Sequence, residues 1–180
     1  MGIQTKEELK MCLSSEKELY IRNDGKMLAR FFLQEHDYQI WKYQKSLRML
    51  EYHLNKNHKI RYRIWVLRNN LLSSRLGIYI HQNCFEVGLK IWHYGSIIVN
   101  GHAKIGKNCQ LHGNNCIGNK GIASSKAPVI GDDVDIGVGA VIIGDIYIAD
   151  GVRIGANAVV TKSCYEKGVS LIGNPAHVLK

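Results

Sequence analysis

The sequence predicts a mainly β protein: a parallel β-helix of hexapeptide repeats, preceded by an α-helical region. Three observations carry this. First, Ile130, Ile136, Ile142, Ile148, Ile154 and Val160 form one unbroken column of aliphatic residues six apart, and Val99, Ile105, Leu111 and Ile117 form another. A period of six fits neither a 3.6-residue helix nor the two-residue alternation of a simple strand. It belongs to solenoids in which short strands meet at tight corners. Second, the next residue is often Gly (Gly106, Gly118, Gly131, Gly137, Gly155), which tolerates the backbone angles that corners need. Four residues after the aliphatic one the side chain is often small, as at Ala103, Cys109, Ala140 and Ala158. Third, the period of six does not reach the N-terminal part, where apolar residues step by three and four.

The helical region is placed at 1–75. Thr5 with Glu8, and Ser15 with Glu18, have the spacing of a capping box at a helix start. Asn23-Asp24-Gly25 is a turn signal. Ile40, Tyr43, Leu47, Leu50 and Leu54 trace one apolar face, and Ile60, Ile64, Leu67 and Leu71 resume the stepping after a break at 55–58. Three or four helices are expected to pack on each other and on the β-helix, with the aromatics Phe31, Phe32, Trp41, Tyr43 and Trp65 in the core or an interface.

Ser73-Ser74 and Gly77 mark the change of period, and the β-helix is placed at 76–180. Its two columns are out of step, which makes 118–129 an insertion loop. Counting back by six from Val99 reaches His93, Val87 and His81; either the two His face inward or the register slips near Gly88. The tail, 168–180, closes the ladder, because Pro175 has no N–H to donate to a further coil.

Composition bounds the function class. A chain of 180 residues with 46% hydrophobic and 22% charged residues can bury a core. No apolar run approaches the roughly 18 residues of a membrane span. The N-terminal MGIQTKEELK lacks the apolar segment of a secretory signal, so a cytoplasmic protein is expected. Five cysteines without a CxxC pair point to reduced thiols rather than a zinc or redox motif. The net charge of +9 lies mostly in residues 1–75, which hold 15 Lys/Arg against 8 Asp/Glu. These basic residues are interleaved with acids and apolars and read first as a solvated helical face. A polyanion, an anionic glycan or a membrane surface is the functional alternative.

The segment Gly88-Leu89-Lys90-Ile91-Trp92-His93-Tyr94-Gly95 carries a family resemblance. It closely resembles the Gly-Leu-x-Ile-x-His-x-Gly opening of the serine acetyltransferase-like branch of the hexapeptide-repeat acyltransferases, whose fold is a left-handed parallel β-helix. Residues 47–52 are similar to that branch's helical preface, and residues 155–162 and 173–176 to its closing motifs. The resemblance covers about residues 38–180 and extends to capsular and exopolysaccharide O-acetyltransferases. It implies acetyl transfer from acetyl-CoA to a hydroxyl, with no metal, in a homotrimer whose N-terminal helices could pair two trimers. Attack on a thioester needs a base for the hydroxyl proton. Imidazole, with an ordinary pKa of about 6.5, suits that role. His93 matches the family's catalytic His. The family's CoA contacts map onto Asn119, Lys120, Val138, Ala156, Thr161 and Lys162. A zinc site like that of β-helical carbonic anhydrases would want an HxxxxH pair, and that spacing occurs at His53 and His58, in the helical region.

The sequence departs from serine acetyltransferases at three positions. Those enzymes have an Asp where Trp92 stands, an Asp that orients the imidazole where Tyr79 stands, and an Arg-His-Pro run where Lys126-Ala127-Pro128 stands. Without the two carboxylates an amino-acid ammonium loses its partners, and a buried charge without a partner is costly. The acceptor is therefore read as a hydroxyl of a sugar or polysaccharide precursor in surface-polysaccharide synthesis, lined by Tyr79, Trp92, Tyr94 and, beside the cleft, His112. Serine O-acetylation in cysteine biosynthesis is the alternative, and a non-enzymatic scaffold with an anionic partner a third reading. The partner that orients His93 is left open between a backbone carbonyl and the Tyr79 hydroxyl.

Overall fold

The structure, a computed structural model, describes residues 2–121 and 125–179. The chain divides into two units, Met1–Leu76 and Gly77–Lys180.

The first unit holds α1 (Lys6–Glu18), α2 (Met27–Leu33), α3 (His36–Asn55) and α4 (Lys59–Leu76). Thr5 opens α1 with a reciprocal cap. Its hydroxyl accepts from the Glu8 N–H at 3.0 Å, and the Glu8 carboxylate accepts from the Thr5 N–H at 3.1 Å. Ser15 starts no helix; it lies inside α1 and its hydroxyl donates to the Cys12 carbonyl. Ile40, Tyr43, Leu47 and Leu50 are fully buried on α3, the face that their spacing predicts, while Leu54 near the end of the helix is exposed. The stripe Ile60, Ile64, Leu67 and Leu71 on α4 is instead exposed. That helix is apolar on two sides, and it buries the side carrying Asn69, Leu72 and Leu76. Spacing finds an apolar face but does not choose between two. Trp41 and Tyr43 are core, whereas Phe32 is 75% exposed.

An ionic cluster joins α1 to α3. Arg48 is buried and reaches Glu16 at 2.7 Å and Glu51 at 2.9 Å. Beside it, burial pushes the Cys12 thiol up to about 12, so this sulfur is unreactive.

The second unit winds β1 (Ile78–Ile80), β2 (Lys90–Ile91), β3 (Ile97–Val99), β4 (Lys104–Ile105), β5 (Gln110–Leu111), β6 (Cys116–Gly118), β7 (Val129–Ile130), β8 (Asp135–Ile136), β9 (Val141–Ile143), β10 (Tyr147–Ile148), β11 (Arg153–Ile154), β12 (Val159–Val160), β13 (Ser170–Ile172) and β14 (His177–Val178). They stack into three sheets. The first runs β1-β3-β6-β9-β12, the second β10-β7-β4, and the third β14-β13-β11-β8-β5-β2. Pairing is parallel except between β13 and β14, where the tail turns back on the last coil. Both hexapeptide columns point inward and are sealed from water: every member from Val99 to Val160 is at most 2% exposed.

In the first coil the inward residues are Ile80, Phe85 and Ile91, paired with Val99, Ile105 and Leu111 of the next. His81, Val87 and His93 therefore face outward. The register slips after Ile91, where the chain takes eight residues rather than six to reach Val99, so the slip holds His93 itself rather than Gly88. Corners are made by more than glycine. Asn83, Asn108, Asn114, Asp133 and Asn157 all take positive φ, the left-handed conformation that Asn and Asp adopt more readily than other side chains. Some of these corners stack, with the Asn108 amide donating to Asp133 at 2.9 Å.

Candidate active site

Each sheet of the β-helix turns its alternate side chains outward, and the residues singled out above collect on two different edges of the prism. On the edge after the third sheet, Trp92 and His93 follow β2, His112 and Gly113 follow β5, Val138 follows β8, and Ala156 follows β11. Backbone bonds stack this edge coil on coil: the Gly139 N–H donates to the Gly113 carbonyl and the Asn157 N–H to the Val138 carbonyl, both at 2.9 Å. His93, Val138 and Ala156 thus lie in one line along the edge.

His93 is exposed, and Gly113 sits above it. A Cβ on Gly113 would come within 3.3 Å of the His93 carbonyl oxygen, and its φ of +114° already excludes most side chains. The requirement for glycine at 113 is a requirement for room at His93. Tyr94 is the next exposed residue of this corner.

Trp92 and His112 do more than flank the site. The two rings stack at 5.6 Å and 20°. The Trp92 indole N–H donates to Gln110 at 2.9 Å, and the Lys90 ammonium lies 5.0 Å from the indole centre. His112 Nε2 is 2.7 Å from Asp135 Oδ1. Asp135 did not stand out in the sequence. The signal that finds it is register: Lys90, Gln110, Asp135, Arg153 and Ser170 are cross-strand partners and form one outward row on the third sheet. Beside this row lies an open recess of about 320 Å³, lined by His112, Asp135, Arg153, Ala156 and the backbones of Gly137 and Gly155. A Cβ on Gly137 would sit 2.7 Å from the Ala156 nitrogen, so the floor of the recess is backbone by necessity.

The remaining residues lie elsewhere. Asn119 and Lys120 follow β6, and Thr161 and Lys162 follow β12, on the edge after the first sheet. The Lys120 stem lies over Gly144, where a Cβ would be 2.8 Å from its Cε. Tyr79 points outward from the first sheet, half-exposed, with its ring edge-on to His81 at 5.0 Å. It makes no hydrogen bond to His93 among the described residues. One chain therefore does not gather all the candidate residues. His93, Tyr94, Trp92, His112, Val138 and Ala156 are on one edge, and Asn119, Lys120, Thr161 and Lys162 on another. The first sheet runs between them, with Tyr79, Ile98, Cys116, Val141 and Val159 as its outward row.

In the helical unit, His53 and His58 meet through their Nδ1 atoms at 3.0 Å, and burial holds the His53 ring below its ordinary pKa, with His58 adding to the effect. Among the described residues no group of three or more His, Cys, Asp or Glu side chains could hold a metal ion. No described helix is long and apolar enough to cross a membrane.

Residues 127–162 match the family model for the bacterial transferase hexapeptide (six repeats). That stretch is a run of hexapeptide repeats similar to those of bacterial transferases. The chain's curated relatives include a serine acetyltransferase of Mycobacterium tuberculosis, 29% identical over 68% of this chain and 57% of the relative. The mitochondrial serine acetyltransferase 3 of Arabidopsis thaliana is 30% identical over 68% of this chain and 34% of its own length. The hexapeptide-repeat protein thus spans less than two thirds of these relatives. Among solved structures, soybean serine acetyltransferase superposes with a TM-score of 0.76 at 24% identity, over 95% of this chain and 69% of that one. A serine acetyltransferase in complex with CoA gives 0.72 at 21%, over 97% and 71%. These likenesses establish the left-handed parallel β-helix with helices before it.

Proposed function

We propose that the hexapeptide-repeat protein transfers an acetyl group from acetyl-CoA to an acceptor hydroxyl, with His93 as general base. The observation that carries this reading is the line of His93, Val138 and Ala156 along one edge, in a chain whose curated relatives are serine acetyltransferases. An imidazole at that edge takes the hydroxyl proton as the oxygen attacks the thioester carbonyl. The backbone corners at Val138 and Ala156 offer a thin, side-chain-poor track for the pantetheine arm. Asn119, Lys120, Thr161 and Lys162 would meet the nucleotide end, where an ammonium serves a phosphate as a point charge.

Those two groups of residues are complementary only across copies. The first sheet between them is apolar along its outer row, and Tyr79 and Ile98 are more than half exposed. Covering that row with a neighbouring chain buries it and brings one chain's His93 edge to another's Lys162 edge. A closed ring of copies, the homotrimer, does this for each chain alike.

The relatives favour L-serine as the acceptor. One observation favours a sugar hydroxyl instead: Tyr79 and Trp92 stand where serine acetyltransferases carry carboxylates. Trp92 is not a free platform for a sugar face, because its ring is stacked on His112. A sugar would be held by hydrogen bonds at this edge.

Replacing His93 by Ala tests the assignment. The variant should keep its assembly and its affinity for CoA in calorimetry, and lose roughly 10²–10⁴-fold in acetyl transfer. Near-normal turnover in the variant would remove His93 from the chemistry.

A further inference from the structure

We propose that His112, held by Asp135, positions the acceptor: its Nδ1 receives a hydrogen bond from an O–H or N–H of the acceptor other than the reacting hydroxyl, at the recess on the third sheet. This rests on the O-acetyltransferase reading and deepens it.

The imidazole is built in on two sides. Its Nε2 lies 2.7 Å from the Asp135 carboxylate, and its ring is stacked on the Trp92 indole. That indole is itself tied down by its N–H bond to Gln110. A carboxylate can only accept, so the nitrogen facing it carries the proton. Nδ1 is then left with its lone pair, a hydrogen-bond acceptor with a set direction. A surface histidine needs none of these supports. A residue that must present one nitrogen in one orientation needs all of them.

The placement fits an acceptor on the third-sheet side of this edge, beside the corners given above to the pantetheine arm. His112 and Asp135 line the recess whose floor is the backbone of Gly137 and Gly155. The residue after His112 is Gly113, which packs directly on His93. The recess runs from His112 up the third sheet to Ser170, so its His112 end is the end nearer His93, one coil away. Two imidazoles on adjacent coils then divide the work. His93 receives the proton of the reacting hydroxyl, and His112 accepts from a second donor group of the same molecule. The class of ligand is an acceptor with such a second group, another hydroxyl in a sugar or the ammonium in an amino acid.

Two variants and two readouts test this. His112→Phe keeps a flat ring over Trp92 and removes both nitrogens. Asp135→Ala frees the imidazole. With L-serine or N-acetylglucosamine as acceptor, His112→Phe should raise the acceptor KM about tenfold over wild type, the loss of one hydrogen bond. The KM for acetyl-CoA and the melting temperature should stay unchanged. An unchanged acceptor KM, or equal changes in both KM values, would overturn the proposal. The second readout does not depend on the acceptor. In long-range proton–nitrogen NMR of histidine-labelled protein, His112 should be the Nε2–H tautomer, and Asp135→Ala should give a mixture. A predominant Nδ1–H tautomer in the wild-type protein would overturn the proposal even if neither probe acceptor is turned over. Failure of the wild type to acetylate any hydroxyl, with His112 in the Nε2–H form, would instead count against the O-acetyltransferase reading.

Discussion

His93 and His112 look alike in the sequence and are held differently in space. His93 sits in the slip of the first coil under Gly113, exposed. His112 is clamped by a carboxylate and a stacked indole. A motif finds the first, because the Gly-Leu-x-Ile-x-His-x-Gly spacing is local. Only the cross-strand register finds Asp135, which is far from His112 in sequence and one strand away in space. Trp92 illustrates the opposite error. As a lone exposed aromatic it reads as a sugar platform, but the residue one coil above already occupies its ring. Tyr79 likewise does not reach the His93 imidazole; its ring rests against His81. The residues at positions 79 and 92 were visible in the sequence, and the side chains they touch were not.

At the scale of the element, the hexapeptide columns were legible because each inward position repeats the same physical demand. From Val99 to Val160 the column positions in the coil interior all hold aliphatic side chains, so the pattern survives from coil to coil. The helices are less legible. On α3 the single apolar face is the buried one. On α4 both faces are apolar, and the stripe with the cleaner spacing is the one left in water. The buried cluster of Arg48 with Glu16 and Glu51 was not visible either, since charged residues in a helical pattern read as solvent-facing. This cluster gives a direct prediction. Arg48→Met leaves two carboxylates buried without their cation, which costs about 3–5 kcal/mol. Chemical denaturation of the variant should show that loss in the helical unit. A variant as stable as wild type would mean that the carboxylates protonate or find other partners.

For the whole molecule, the division of candidate residues between two edges matters most. The edge after the third sheet carries His93, and the edge after the first sheet carries Lys162. Under the proposed function neither edge alone holds both the base and the phosphate contact, and the apolar row between them is the surface that a second copy would cover. Ile98 lies in the middle of that row and is 52% exposed. Ile98→Asp places a charge where a partner would have to desolvate it. The variant should dissociate to monomers in sedimentation velocity and lose acetyl transfer together with assembly. Full activity in a monomeric variant would show that one chain holds a complete site. In the sequence a homotrimer was expected from the family resemblance alone, because a period of six specifies a coil and is silent on which face meets a neighbour.

The central claim is acetyl transfer from acetyl-CoA to a hydroxyl. Its most direct test is release of free CoA thiol from acetyl-CoA by the purified protein, with L-serine, nucleotide sugars or capsular oligosaccharides as acceptor. The account predicts acceptor-dependent release, and the acceptor that drives it decides between serine and a sugar. CoA binding without release for any hydroxyl acceptor, or no CoA binding at all, would contradict the account and leave a hexapeptide-repeat scaffold in its place.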